Sequence, residues 1–437
     1  MLRRTRSPIR TIVLPHGFRA GTPVPARVGP AWSAAARGRS RPLAARGARP
    51  DGAAMTDAAG PRLLLAAGGT GGHIMPAVAT AEALRELAPD VQIDFVCGHR
   101  PSEWQIYRRL GIEPWTLPLT FNRPGLMNRM RFLREFLAAL REARQRLRAH
   151  PCDLVVGFGS YMSVPPVLAA RLAGIPAVVV EQDLRPGMAN RLLAPLARKV
   201  AAAFETSAGF PRGKTTVVGN PIRADIIRPV DRVEARRFFR LSPHRLVCFC
   251  VGGSQGARGI NQLLLDLLRR QHAGGEETAG AAAQWQLLWS TGPAHFDHVV
   301  RALREMGVDP AEHSINPYID KMALAYAAAD LVLCRTGALT LAELTAVGRP
   351  AILVPLPSAA GGHQAANARR LVEAGAAELI LETDPAAAER LETLLARWVE
   401  QPGWLAEMAH AARKLGRPHA ARDLARMLLD CLPSRGD

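Results

Sequence analysis

Three short segments hold most of the residues whose types and spacing could do chemistry. The first is Gly68-Gly69-Thr70-Gly71-Gly72-His73, which follows the apolar run Leu63-Leu64-Leu65-Ala66-Ala67. Glycines at the end of a buried strand let backbone approach a ligand, and the helix start beyond them attracts anionic or sugar groups. His73 sits at or just before that helix, where the N-terminus disfavours imidazolium and keeps the ring able to accept a proton. A histidine that merely caps or packs would look the same. The second segment, Gly252-Gly253-Ser254-Gln255-Gly256, comes roughly 180 residues later, about one α/β domain further on. Ser254 and its neighbouring amides there make a phosphate cradle. The third runs from Cys334 to Glu343. A strand ends, Gly337 turns, and a helix opens with unpaired N–H groups that suit a diphosphate. Thr340 and Glu343 share one face of that helix, and a carboxylate so placed can accept both hydroxyls of a ribose. The helix dipole alone also favours a Glu in the first turns.

These segments need strands and helices to hold them. From residue 61 the chain alternates apolar runs with helical stretches: strands at Val91 to Cys97, Leu154 to Gly157, Ala177 to Val180, Val200 to Ala203 and Thr216 to Val218. Pro221, Pro229 and Pro243 punctuate a boundary over 219–245. The pattern then restarts at Leu246 to Val251, with further strands at Gln286 to Trp289, Leu331 to Cys334 and Ala351 to Val354, and Ala-rich helices fill the rest. This alternation predicts an α/β protein of two doubly wound, Rossmann-like domains facing a cleft, with ligands at the C-terminal ends of the strands. The loop Ala273 to Ala283 reads as a flexible surface insertion.

The absence of G-x-x-x-x-G-K-[ST] argues against a P-loop NTPase, and no H-E-x-x-H or clustered Cys/His set argues for a metal. Six cysteines without a C-x-x-C pair read as reduced core residues of a cytosolic protein. The net charge of +18 is half accounted for by residues 1–60, which hold eleven Arg against two Asp. That Pro-, Ala- and Arg-rich extension reads as a misplaced start ahead of Met55, a transit peptide or a disordered arm. A second basic stretch, residues 121–148, interleaves Met130, Phe132, Leu133, Phe136 and Leu137 with Arg129, Arg131, Arg134 and Arg141. An apolar helix face rimmed by arginines can lie on an anionic membrane surface; a core-facing amphipathic helix has the same pattern. Aromatic residues are too scarce for a nucleic-acid surface, so no nucleic-acid partner is expected.

Taken in order, the motifs resemble the MurG family of cell-wall glycosyltransferases. The likeness runs from residue 61 to about 430. It rests on the first glycine loop, Gly157-Phe158-Gly159-Ser160-Tyr161, Glu181-Gln182, Val218-Gly219-Asn220-Pro221-Ile222-Arg223 and the second glycine loop. Tyr318-Ile319-Asp320-Lys321-Met322, Arg335 to Glu343 and His363-Gln364-Ala365-Ala366-Asn367-Ala368 complete it. The resemblance implies the GT-B fold, no cofactor, and an inverting transfer of N-acetylglucosamine from UDP-N-acetylglucosamine to the C4 hydroxyl of undecaprenyl-linked muramyl-pentapeptide. It also implies a peripheral location on the cytoplasmic face of the inner membrane, with cell-wall synthesis or division proteins as partners.

Residue by residue, the resemblance gives Ile319 the uracil and Glu343 the ribose. Ser254 and the helix start Ala338, Leu339, Thr340 take the diphosphate, with Leu341 and Ala342 of the same helix also among the substrate-binding residues. Arg223 contacts the donor at the hinge, and Gln364 binds the sugar. Thr70, Gly71 and Gly72 approach from the first domain, with His73 the expected base and Glu181 or Asp183 its rival. The implied organisation is residues 1–60 as extension, 61–222 as an acceptor- and membrane-facing domain, 223–417 as the UDP-sugar domain, and 418–437 as a helix returning to the first domain. Three positions depart from the family. Asp183 replaces an Asn and would repel a diphosphate unless protonated or paired. Gly362 replaces an Asp behind the loop Ser358-Ala359-Ala360-Gly361, and Ser160 stands where glycine is common. Asp183 and the missing loop charges motivate one alternative, a UDP-sugar-binding scaffold; the other is a related transferase with another lipid acceptor, decided by the acceptor loops around residues 121–135 and 158–165.

Overall fold

The computed structural model describes residues 60–120, 126–205, 209–273, 284–357 and 362–433. The extension 1–59, most of the loop 273–283 and the segment 358–361 lie outside the described residues. Residues 51–437 form one compact unit, built on two sheets.

The first sheet comprises β1 Arg62–Ala66, β2 Gln92–Cys97, β3 Trp115–Thr116, β4 Leu154–Gly157, β5 Ala177–Glu181, β6 Lys199–Ala202 and β7 Thr215–Val217. Their spatial order is β3-β2-β1-β4-β5-β6-β7, every neighbour parallel. The second has β8 Leu246–Val251, β9 Trp285–Ser290, β10 Ser314–Asn316, β11 Leu331–Cys334, β12 Ala351–Leu353 and β13 Ala377–Leu379 in the order β10-β9-β8-β11-β12-β13, again all parallel. Strands buried on both faces carry near-continuous apolar runs such as Leu63-Leu64-Leu65 and Val178-Val179-Val180. Fully buried Leu or Val side chains each contribute about 1.5–3 kcal/mol of transfer free energy.

Both sheets reverse direction of winding between their first and fourth strands. A switch point opens a crevice at the carboxyl ends of the strands that flank it. In the first sheet those strands are β1 and β4, registered through Ala66 and Gly157. In the second they are β8 and β11, registered through Val251 and Cys334. The first glycine loop, the Phe158-Gly159-Ser160 turn, the second glycine loop and the Arg335-Thr336-Gly337 turn therefore all emerge at switch points.

Strands β3, β10 and β13 were missed because they are two or three residues long and carry no run of their own; β13 falls where only Ala-rich helices were expected. The helix after β1 runs Gly71–Leu87, so it opens within the glycine segment and not beyond it, with Gly71, Gly72 and His73 in its first turn. The arginine-rich helix spans Leu126–Ala149. Its apolar residues divide: Phe132, Phe136 and Leu140 pack on the first sheet's core, while Met130, Leu133 and Leu137 are 65%, 58% and 42% exposed. The last helix, Ala420–Asp430, packs against helix Gly71–Leu87. Gly219 is the close-approach point: a Cβ there would lie 2.9 Å from those of Ala420 and Arg417. All six cysteines are free thiols.

Candidate active site

A cleft of about 1260 Å³ is lined from both sheets: Thr70 to His73, Gln182 and Asp183 on one side, and the second glycine loop, Ile319 and the Gly337 helix start on the other. That volume exceeds the range of ordinary small-molecule sites, and suits two substrates.

On the first side, Thr70 is the N-cap of helix Gly71–Leu87, in extended backbone with φ −146°. Thr70 O accepts from His73 N–H at 3.1 Å and from Ile74 N–H at 3.2 Å. The earlier amides, Gly71 and Gly72, begin the turn at the cleft wall. Thr70 Oγ1 lies 3.1 Å from His73 Nδ1. Gly159, at φ 81°, comes so close that a Cβ would sit 3.3 Å from His73 Cδ2. A side chain at Gly68 would meet Glu103 Oε2 at 2.8 Å; that buried carboxylate accepts the Gly98 N–H at 2.7 Å. Ser160, the position where glycine is common, takes φ 62°.

Glu181 does not line the cleft. It is 4% exposed. Its Oε1 accepts the N–H groups of Gln182 and Asp183 at 2.9 Å each, and its Oε2 accepts Gly187 N–H at 3.0 Å and Asn190 Nδ2 at 2.9 Å. Burial pushes its carboxyl up, with the Asp183, Asn190 and Gly187 donors pulling against that. A carboxylate with both oxygens turned into its own loop shapes that loop and is not presented to a substrate. Asp183 does reach the cleft wall, and it is paired: Asn367 Nδ2 donates to Asp183 Oδ1 at 3.0 Å, from across the cleft.

On the second side, Gly252 and Gly256 are glycines for steric reasons, since a Cβ on either would lie 2.4 Å from Ala257 or 2.1 Å from Thr291 O. Asn261 braces this loop: its Nδ2 donates to Thr291 O at 2.8 Å while its Oδ1 accepts from Trp289 Nε1 at 3.0 Å. Ser254 is exposed within the loop. The helix Ala338–Val347 starts at Gly337, and its Leu341 N–H is already spent on Gly337 O at 3.1 Å. The amides left for an anion are those of Ala338, Leu339 and Thr340. Leu341 is 2% exposed in the core, and neither it nor Ala342 lines the cleft. The three amides are those expected to take the diphosphate, while Leu341 and Ala342, expected among the substrate-binding residues, fall outside the cleft wall. The side chain of Ile319 is buried in the core, so its backbone is what borders the cleft.

Glu343 lines the cleft, with Tyr326 donating to its Oε2 at 2.7 Å. Burial pushes its carboxyl up to about 7, against the Tyr326 bond and the Arg223 charge, with Asp225 adding to the rise. Arg223 itself pairs with Asp225 at 3.2 Å and borders the same wall. Gln364 Oε1 accepts Leu356 N–H at 2.9 Å and lies 3.4 Å from Thr336 Oγ1. Asn190, Asn261, Tyr326 and Asn367 escaped the sequence reading as site residues. Tyr326 sits in the apolar stretch Met322 to Ala329, a signal of burial, whereas the three asparagines stand among polar neighbours such as Arg191, Gln262 and Arg369 and carry no such signal.

The N-terminal domain model of glycosyltransferase family 28 matches residues 63–202, and its C-terminal domain model matches residues 247–424. The chain belongs to glycosyltransferase family 28. Among its relatives in that family is a Prosthecochloris aestuarii protein named UDP-N-acetylglucosamine–N-acetylmuramyl-(pentapeptide) pyrophosphoryl-undecaprenol N-acetylglucosamine transferase. It is 40% identical over 370 residues, which is 83% of this chain and 97% of the relative. A Moorella thermoacetica protein of the same name is 38% identical over 85% of this chain and all of its own. The crystal structure of Acinetobacter baumannii MurG superposes with a TM-score of 0.63 at 28% identity, covering 84% of this chain and 99% of that one. The two family-28 domains, with their two parallel sheets, form the GT-B fold.

Proposed function

We propose that this family-28 enzyme transfers N-acetylglucosamine from UDP-N-acetylglucosamine to the C4 hydroxyl of undecaprenyl-diphospho-muramyl-pentapeptide. The observation that carries the reading is the cleft that joins the two switch points: one wall offers amides and a carboxylate, the other a histidine. The donor lies on the second-sheet side. Ile319 backbone meets the uracil and Glu343 the ribose hydroxyls, while Ser254 and the amides of Ala338, Leu339 and Thr340 hold the diphosphate. Arg223 adds positive charge at the donor's edge, and Gln364 binds the sugar. Fixed amides of this kind stabilise charge as UDP departs, at no cost of reorganisation.

The acceptor enters past Thr70, Gly71 and Gly72, where glycines leave room for a sugar. His73 takes the proton of the attacking hydroxyl. The tautomer with hydrogen on Nδ1, bonded to Thr70 Oγ1, carries its accepting lone pair on Nε2. A single displacement across the cleft inverts the anomeric carbon. The lipid-linked acceptor requires a membrane surface, and Met130, Leu133 and Leu137 with the exposed Arg131, Arg134 and Arg141 supply one on the first domain. The location in this reading is peripheral, on the cytoplasmic face of the inner membrane; among the described residues no helix is long and apolar enough to cross a membrane. Partners in cell-wall synthesis and division belong to the same reading.

Incubating the protein with labelled UDP-N-acetylglucosamine and either a short-chain muramyl-pentapeptide lipid or diacylglycerol tests it. Label should pass to the muramyl lipid alone. Transfer to diacylglycerol would redirect the acceptor assignment, and donor binding without transfer would make the protein a scaffold.

A further inference from the structure

Two polar contacts span the cleft at one side chain. Asn367, on helix His363–Glu373, donates through Nδ2 to Asp183 Oδ1 at 3.0 Å and accepts through Oδ1 from Leu184 N–H at 3.2 Å. The partners fix the amide's orientation, because a backbone N–H only donates and a carboxylate only accepts. Asn367 is 2% exposed, so neither bond is a surface accident, and losing one would strand a buried polar group. The other half of the arrangement is just as constrained. Asp183 and Leu184 sit in the loop that Glu181 holds with four accepted bonds, and one of those comes from Asp183 N–H. Gln364, one helical turn before Asn367, is tied to Leu356 and Thr336 on the donor side.

We propose that Asp183 and Asn367 form a cross-cleft latch that sets the spacing between the acceptor-side loop and the donor-side helix, so that both are positioning residues for the transfer. The proposal rests on the donor and acceptor assignments above. It also gives the carboxylate at position 183 a task. The Asn367 amide, a neutral donor, holds Oδ1 against the opposite wall and leaves the carboxylate's charge in place, and Glu181 acts through the latch by shaping the loop that carries it. The latch touches the nucleotide end of the cleft at no point, so breaking it should slow turnover while leaving UDP affinity nearly unchanged.

The test exchanges the partners. Asn367→Asp sets two carboxylates against each other; Asp183→Asn combined with it restores one donor and one acceptor, and residue 367 retains an oxygen able to accept Leu184 N–H in every chain, so faster Leu184 exchange reports the two walls parting and not a deleted acceptor. Asp183→Ala removes the acceptor without placing a charge in the buried position. Three quantities are measured in the full chain: kcat, the dissociation constant for UDP, and hydrogen exchange at the Leu184 amide. Coupled neighbours differ by about 0.5–3 kcal/mol, which is about 2- to 150-fold. We expect Asn367→Asp to lower kcat by about tenfold or more and to speed Leu184 exchange. The double variant should recover kcat to within about threefold of the parent. UDP affinity should stay within the same margin in all three.

A double variant as slow as Asn367→Asp, or unchanged Leu184 exchange in Asn367→Asp, would overturn the latch. A failure of the donor assignment shows separately, as Glu343→Gln leaving UDP affinity unaltered.

Discussion

The hydroxyl of Tyr326 reaches Glu343 Oε2 at 2.7 Å from inside the core, so this cleft-lining carboxylate is held by a phenol that is itself buried. Burial raises the Glu343 carboxyl to about 7 from an ordinary 4.5, and the Tyr326 bond and the Arg223 charge keep the rise from going further. Two ribose hydroxyls donating to this group would favour its charged form. UDP binding near neutral pH should therefore release protons, and affinity should improve as pH rises from about 6 to 8. Calorimetry in buffers of different ionisation enthalpy measures the proton count. Glu343→Gln should flatten the pH profile and weaken binding; proton uptake in the parent would contradict the assignment.

The same group has a consequence for stability in the absence of nucleotide. Its folded value, about 7, lies above the unfolded 4.5. The folded state then binds the proton more tightly, so the contribution is fully present below pH 4.5 and is lost as pH rises through 7. Urea titrations across that window should show Glu343→Gln losing this part of the pH dependence. An identical dependence in parent and variant would count against the buried carboxyl as its source.

Turnover should depend on His73 far more than donor binding does. Removing a positioned base costs about 10²–10⁴-fold, so His73→Ala should lower kcat by that order with donor affinity nearly intact. Gly159→Ala should act in the same direction, because φ 81° and a Cβ 3.3 Å from the His73 ring force either the backbone or the imidazole to move. Steady-state kinetics with both substrates varied separates the two parameters. Unchanged turnover in His73→Ala would remove it as the base.

Ser160 pays for a backbone conformation that suits glycine. At φ 62° and ψ 158° it lies in a region that costs a side chain about 1–3 kcal/mol. Ser160→Gly should raise stability by about 1 kcal/mol and the melting temperature by roughly 2 °C. Scanning calorimetry reads the shift, and a lower melting temperature would mean the hydroxyl contributes more than the strain costs.

The exposed apolar stripe gives a prediction independent of catalysis. Changing Met130, Leu133 and Leu137 together to Gln should abolish sedimentation with phosphatidylglycerol vesicles and leave transfer to a water-soluble acceptor analogue unaltered. A parallel Arg131→Glu/Arg134→Glu variant should show weakened, more salt-sensitive binding. Vesicle binding by the Gln triple variant equal to that of the parent would move the membrane surface elsewhere.

Sequence alone carried the two doubly wound sheets, because strands buried on both faces must be continuous apolar runs and glycines must stand where backbone meets a neighbour. Gly252 and Gly256 mark the second-sheet wall of the cleft for that reason. What stayed hidden depends on contacts made after folding. Glu181 carries the residue type of a base, and only the positions of Gln182, Asp183, Gly187 and Asn190 reveal that its oxygens are occupied. Leu341 follows the diphosphate-facing residues on the same helix and is expected to bind substrate, yet the helix takes its N–H first. Asn367 and Asp183 are 184 positions apart, and no local pattern pairs them. The short strands β3, β10 and β13 form because a sheet edge is there to pair with.

A single displacement across the cleft leaves its record in the anomeric configuration of the product. Transfer from α-linked UDP-N-acetylglucosamine carrying ¹³C at the anomeric carbon, followed by NMR as the muramyl product accumulates, reports that configuration. A β-linked disaccharide from the first turnover onward is predicted. An α-linked product would require two displacements or a front-face mechanism, and would contradict the assignment of the reaction to one attack assisted by His73.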